Sequence, residues 1–239
     1  MTPLAPDTLA ILAGVSTATI TLQLLKRGIR NVFIAGARPL NPANCRFVAE
    51  AFTLRFIPMR EDLSRPEILG NPDYPPRKAI EAIPSGQALV IDCRGDLRAG
   101  VAGGILATRL LRRGCKAIVA DGPMRDVGEL RHLPLPIFCA GGAAPASIAV
   151  HFGADLQCAI GCGGAAVLPG DVLAGDEDGV VVIPRAAAAE IARDGAEQER
   201  LERFVQEKVA GGSPIVGVYP PNEATLAEYR SWLQQRGEA

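Results

Sequence analysis

Ser16-Thr17 is followed by Ile20, Leu24 and Leu25 at helical spacing and by Gly28 as a stop, a pattern that predicts a short amphipathic helix over residues 16–27. Val32-Phe33-Ile34 comes next. In residues 47–57, Phe52, Leu54 and Phe56 alternate with Thr53 and Arg55, as on a half-buried strand. Pro66, Pro72, Pro75 and Pro76 forbid long regular elements between 61 and 84, leaving a loop with at most a short helix. The middle predicts a strand at 88–92, a helix at 103–113, a strand at 117–120 and a short strand at 137–139. Strand, helix, strand at this spacing reads as a βαβ unit with parallel strands. From 157 to 183 short apolar runs are separated by Gly161, Gly163, Gly164, Gly170, Gly175 and Gly179, which predicts strands turning tightly on one another. A long helix over 186–209 carries Ile191, Leu201, Phe204, Val205 and Val209. A last helix starts after Pro220-Pro221, capped by Asn222, and includes Leu226, Tyr229 and Trp232.

Composition narrows the class. The 239 residues are 48% hydrophobic with only 7 Phe, 3 Tyr and 1 Trp, so the core is built from Ala, Val, Ile and Leu. With 21% charged residues and a mean hydropathy of +0.17, the chain has too much apolar content to be disordered. No apolar run approaches the roughly 18 residues that cross a bilayer, and the first twelve residues lack the basic and apolar regions of a secretory signal. A cytoplasmic protein without membrane partners is the expectation. The net charge of −1 gives no field for a polyanion, so nucleic acid is not an expected partner. The six cysteines are spread too thinly for a disulfide scaffold and read as reduced core residues.

A geometric argument locates candidate chemistry. In a right-handed βαβ unit the loops leaving the two strands, 93–102 and 121–126, emerge at the same sheet edge and face one crevice. The first loop delivers Gly103 and Gly104 to a helix start, where the first N–H groups lack partners and the dipole favours an anion. The second carries Arg125 and Asp126, a cation beside a carboxylate. A carboxylate ligand meets amide donors from one loop and a guanidinium from the other, and Asp126 offers oxygen to a hard ion such as Mg²⁺. Taken alone, the same features also read as a solvated ion pair and a glycine turn.

Residues 103–126, GGILATRLLRRGCKAIVADGPMRD, resemble the central motif of the family of class II 4-hydroxy-4-methyl-2-oxoglutarate aldolases and the regulator of ribonuclease activity A. Residues 161–184, GCGGAAVLPGDVLAGDEDGVVVIP, resemble its second signature, Pro-Gly-Asp followed by Asp-x-Asp-Gly-Val and Ile-Pro. The likeness covers about residues 12 to 195 in order. It implies an α/β fold of the swivelling phosphohistidine-domain type, with the βαβ unit at its centre. That family-like domain spans 1–210, followed by a C-terminal extension with a short helix at 211–239. It also implies a homotrimer or a hexamer made of two trimers, with active sites between subunits.

By the same resemblance Arg125 binds the carboxylate and C2 oxygen of the pyruvate portion, and Asp126 is the metal ligand for Mg²⁺, Mn²⁺ or another divalent ion. The amides of Ile105 and Leu106, after Gly103 and Gly104, hold the substrate carboxylate. The implied reaction is lyase cleavage of 4-hydroxy-4-methyl-2-oxoglutarate or a related 2-oxo acid to pyruvate through a metal-stabilised enolate, with oxaloacetate decarboxylation alongside.

Two positions and the C-terminal tail depart from the pattern. Gly104 stands where the enzymes have Asp or Glu contacting metal-bound water, with Asp92, Asp96 and Asp121 as candidate substitutes. Leu22 stands where many members are acidic, and the Pro-Pro-Asn-Glu tail exceeds the minimal length. Two other functions stay in view: a protein regulator that inhibits an RNA-processing nuclease, a branch that tends to lose the metal-ligand aspartate, and a lyase or dehydratase for a sugar-derived 2-oxo acid.

Other groups read more plainly. Cys158 and Cys162 with a histidine are a weak zinc pattern and fit core positions better. His132 and His151 read as loop or surface residues. Arg109, Arg112, Arg113 and Lys116 read as a solvated helix end favoured by the dipole, and Asp171, Asp176, Glu177 and Asp178 as turn residues.

Overall fold

A computed structural model describes residues 4–5 and 7–237. In chain order its principal elements are α1 (Thr8–Leu12), α2 (Thr17–Lys26), β1 (Arg38–Pro39), β2 (Phe47–Pro58), α3 (Pro75–Ala82), β3 (Gln87–Asp92), α4 (Gly104–Arg112), β4 (Ala117–Ala120), α5 (Val127–Leu130) and β5 (Ile137–Cys139). There follow β6 (His151–Leu156), β7 (Ile160–Cys162), β8 (Ala165–Val167), β9 (Val172–Asp176), β10 (Gly179–Ile183), α6 (Ala188–Ala210) and α7 (Glu223–Arg236). Among the described residues no helix is long and apolar enough to cross a membrane.

The main sheet runs β1-β5-β4-β3-β2-β9-β10, with β6 also paired to β2, while β7 and β8 form a separate hairpin. Strands β2, β3, β4 and β5 are parallel neighbours, as the βαβ reading requires. Arg38, at one end of the path, donates to the carbonyl of Asp178 beside β10 at the other, 3.5 Å away. The mixed sheet therefore nearly closes on itself.

Successive side chains on these strands point to opposite faces, and both faces are buried. Leu89, Ile91, Ile118 and Ile137 join Leu54 and Phe56 in a core packed against α3 and α4. Ala88, Val90, Ala117, Val119 and Phe138 face the other way, onto the β7–β8 hairpin. A curved sheet leaves little room on its inner face, and the Ala and Val there account for much of the aromatic-poor composition. Because both faces are covered, β2 is not the half-buried strand its alternation suggests. Thr53 is fully buried, and its hydroxyl donates to the Cys158 carbonyl at 2.7 Å.

A third core holds Leu12, Ile20, Leu24 and Ile191 from α1, α2 and α6 against Val181 and Ile183 of β10. Ser16 caps α2, its Oγ accepting from the Thr19 N–H at 3.1 Å. The Asn222 side chain does the same for α7 through the Thr225 N–H, at 2.9 Å. Helix α7 packs on α6 through Phe204, Tyr229 and Trp232. Asp176 is more than a turn residue: it is buried and accepts from the N–H and hydroxyl of Thr17 at 2.8 and 2.7 Å.

The reading of His151 as a loop or surface residue is corrected. It opens strand β6, is fully buried, and its Nδ1 lies 3.1 Å from Arg94 Nη2. The strand escapes pattern analysis because Gly153 interrupts it and its pairing with β2 shifts register between Arg55 and Phe56. Gly153 also locks α3 in place. Its N–H donates to the Tyr74 hydroxyl at 2.9 Å, and Pro76 Cδ stands 2.3 Å from where a Cβ would be. Pro75 and Pro76 occupy the first positions of α3, where proline starts a helix rather than ending one.

Candidate active site

The loops leaving β3 and β4 meet at one edge of the sheet. Val101 N–H donates to the Pro123 carbonyl at 3.0 Å and Arg125 N–H to the Ala102 carbonyl at 2.8 Å. Buried Asp121 fastens the arrangement from below, its carboxylate accepting from the N–H groups of Cys93, Gly95 and Gly163 at 2.6, 3.1 and 3.1 Å. Asp92 accepts from Arg94 and Gly161, and burial holds its pKa above the usual carboxylate range. Asp96 is forked by Arg98 at 2.6–3.2 Å. All three carboxylates are committed to loop structure, so none stands in for a side chain at residue 104.

That place is taken by Glu129, which sequence reasoning missed. A Cβ on Gly104 would meet Glu129 Oε2 at 2.6 Å and Oε1 at 2.9 Å. A Cβ on Gly103 would meet Asp126 Oδ2 at 2.3 Å. The two consecutive glycines thus make room for two carboxylates one turn apart, at either end of the Asp126-Val127-Gly128-Glu129 stretch. The only sequence signal for Glu129 is that spacing of three from Asp126.

Asp126 sits at the cap of α5 with φ 55° and ψ 37°, a left-handed conformation that Asp tolerates better than most residues. Its Oδ2 accepts from the Gly104 N–H at 3.1 Å. No other hydrogen bond or ion pair engages it among the described residues. The next two amides of α4, Ile105 and Leu106, have no residue four places back inside the helix and donate to no carbonyl outside it. Arg125 is exposed and pairs with no carboxylate among the described residues. Its aliphatic stem is seated by Gly100, where a Cβ would lie 2.5 Å from Arg125 Cγ.

A cavity of ≈ 110 Å³ brings Gly103, Leu106 and Arg125 together. Asp126 borders an adjoining open hollow that it shares with Arg125. Ile105 contributes its amide only, because its side chain is 87% exposed at the groove between α3 and α4. Among the described residues no three Asp, Glu, His or Cys side chains gather as a metal cage. One or two carboxylates with free oxygens fit a cation such as Mg²⁺, which keeps most of its water. Cys93 and Cys162 are core residues whose thiols burial pushes well above their ordinary pKa. His132 is exposed, and Arg109 is held by Glu81 at 2.9 and 2.7 Å.

Known proteins resemble this chain in sequence and in fold. The chain is 33% identical over 136 residues to a putative 4-hydroxy-4-methyl-2-oxoglutarate aldolase of Halalkalibacterium halodurans, covering 55% of this chain and 64% of the relative. It is 35% identical over 108 residues to a 4-hydroxy-4-methyl-2-oxoglutarate aldolase of Thermus thermophilus, covering 45% and 65%. The matches thus span less than two thirds of these relatives' length. Among solved structures, Streptomyces coelicolor RraAS2, described as an unusual member of the RNase ES inhibitor RraA protein family, superposes with a TM-score of 0.76 at 30% identity, covering 86% of this chain and 98% of that one. An uncharacterized protein from Pseudomonas syringae gives 0.79 at 26%, covering 92% and 100%. The family model described as RraA-like, Aldolase/RraA, matches residues 14–182, and the chain belongs to that family.

Proposed function

We propose that the protein is a divalent-metal-dependent lyase that cleaves 4-hydroxy-4-methyl-2-oxoglutarate or a related 2-oxo acid to release pyruvate, and that it decarboxylates oxaloacetate at the same site. The observation that carries this reading is the unpaired Arg125 guanidinium beside a half-used Asp126 carboxylate, at a helix start with two amides free.

The Ile105 and Leu106 amides and the dipole of α4 hold the substrate carboxylate. As the C3–C4 bond breaks, the C4 hydroxyl gives up its proton and becomes the carbonyl of one product. The bonding pair leaves negative charge on the C2 oxygen, where the Arg125 guanidinium stabilises it, and a proton returned to C3 completes pyruvate. A divalent cation held by Asp126 supplies Lewis acidity to the 2-oxo group when bound. Glu129 adds a second negative charge beside the same helix start and strengthens cation binding. Among the described residues the cavity lining holds no lysine. Arg125, Asp126 and Glu129 are all exposed in the single chain. A neighbouring copy that excludes water there fits the chemistry, and a trimer or a pair of trimers is the proposed active assembly.

The regulator reading draws on the likeness to RraAS2; the retained Asp126 favours the enzyme. The test is pyruvate release from 4-hydroxy-4-methyl-2-oxoglutarate and oxaloacetate with Mg²⁺ or Mn²⁺, repeated with chelator. Turnover that chelator leaves untouched, or no turnover of either substrate, overturns the proposal.

A further inference from the structure

The cavity beside Arg125 has a second cation in its wall. Arg77 of α3 lines it together with Arg125, and the remaining wall includes Tyr74, Pro76, Val101 and Leu106. Arg77 is half-buried and borders the α3–α4 groove as well, and its guanidinium forms no hydrogen bond or ion pair with any described residue. Its neighbours behave differently: Arg109 is forked by Glu81, and Lys78 lies 3.6 Å from Asp73. Around α3 and the start of α4, then, the two arginines lining the cavity are the ones left without a carboxylate.

A guanidinium partly withdrawn from water loses hydration, and without a partner that loss is uncompensated. An incoming carboxylate restores it through a charge-assisted pair, which a guanidinium fork makes bidentate. Arg77 is also held in place. The N–H of Gly153 fixes the Tyr74 hydroxyl, and Pro76 fills the space beside Gly153, so the first turn of α3 is clamped to β6. The wall between the two arginines is largely apolar, suited to a short carbon skeleton with a charge at each end.

We infer that Arg77 receives the remote carboxylate of a dicarboxylic 2-oxo acid whose 2-oxo end lies on Arg125. The inference rests on the 2-oxo acid reading proposed above and makes Arg77 a specificity residue, since it touches the far end of the substrate and not the breaking bond. Substrates with one carboxylate leave Arg77 unengaged.

The test is calorimetric binding of two unreactive probes, 2-oxoglutarate and pyruvate, to the full chain with Mg²⁺, in wild type, Arg77→Leu and Arg77→Lys. Wild type binds the diacid more tightly than the monoacid. Arg77→Leu weakens 2-oxoglutarate by about 10- to 100-fold and leaves pyruvate unchanged, and Arg77→Lys recovers part of the loss. Equal affinity of wild type for the two probes, or an Arg77→Leu loss shared by both, overturns the inference, and unchanged pyruvate affinity shows that the variant is folded. Pyruvate release from 4-hydroxy-4-methyl-2-oxoglutarate is measured in parallel. If it fails while the diacid preference persists, the lyase reading falls and the diacid site stands; if turnover persists without an Arg77 effect on the diacid, the reverse holds.

Discussion

Gly104 and Glu129 share one space: the Glu129 carboxylate stands 2.6–2.9 Å from where a side chain on residue 104 would begin. The acidic group that the resemblance places on α4 is here delivered from α5, one turn after Asp126. Sequence comparison at position 104 registers a loss, whereas the structure shows a carboxylate arriving from a different element.

The two glycines at the start of α4 are expected to differ sharply under substitution. At Gly103 the obstacle is Asp126 Oδ2 at 2.3 Å, on a side chain bonded to the Gly104 N–H and a backbone in the left-handed region. Gly103→Ala has to displace it and is expected to cost about 1–3 kcal/mol. At Gly104 the obstacle is the end of an exposed, flexible glutamate, and alanine gains up to about 1 kcal/mol of helix propensity. Urea denaturation of the two variants checks the order, and equal losses refute it.

If Glu129 adds negative charge at the cation site, the carboxylate can be moved back. Glu129→Gly is expected to weaken Mn²⁺ binding several-fold, read by paramagnetic resonance of the free ion. Gly104→Asp added to Glu129→Gly is expected to restore it, while Gly104→Asp alone crowds two carboxylates and destabilises the fold. A double variant that binds Mn²⁺ no better than Glu129→Gly shows that the shared space has no bearing on the cation.

Asp126 carries two separable tasks, accepting the Gly104 N–H and offering charge. Asn keeps the acceptor and tolerates φ 55°, so Asp126→Asn is expected to stay within about 1 kcal/mol of wild-type stability. Mn²⁺ affinity and pyruvate release are both expected to fall by at least about 100-fold, because a neutral amide replaces the charged ligand. Substantial turnover in this variant would sink the metal-dependent reading.

Much of this was legible in the chain. The crossover rule placed the 93–102 and 121–126 loops on one crevice, and the bond from Arg125 N–H to the Ala102 carbonyl is that meeting. The cap at Asn222 followed from local chemistry. What escaped depended on distant partners. Strand β6 is defined by its bulged pairing with β2, Glu129 stands out because of a glycine on another helix, and Arg77 lies in a proline-rich stretch that allows at most a short helix and shows no chemistry of its own. Pro75 and Pro76 forbid a long element, and the short helix that remains, α3, begins on them.

His151 gives the fold a pH dependence of fixed sign. Burial lowers its pKa, with Arg94 next and Arg98 adding to it, while Asp96 and Asp121 oppose. Its Nε2 finds no hydrogen-bond partner among the described residues, so no hydrogen bond there rewards a second proton. The unfolded imidazole takes up its proton near pH 6.5, and the buried one does so only at lower pH. Between those points the unfolded state binds more protons, so this contribution to stability is fully present above about pH 6.5 and is lost as pH falls through the folded-state value. His151→Phe keeps a ring beside Phe56, which lies 5.3 Å from the imidazole, and removes the titrating group. Urea denaturation at pH 7.5 and pH 5 is expected to show a steeper acid loss in wild type than in His151→Phe. Parallel losses in the two proteins would assign the acid sensitivity to other groups.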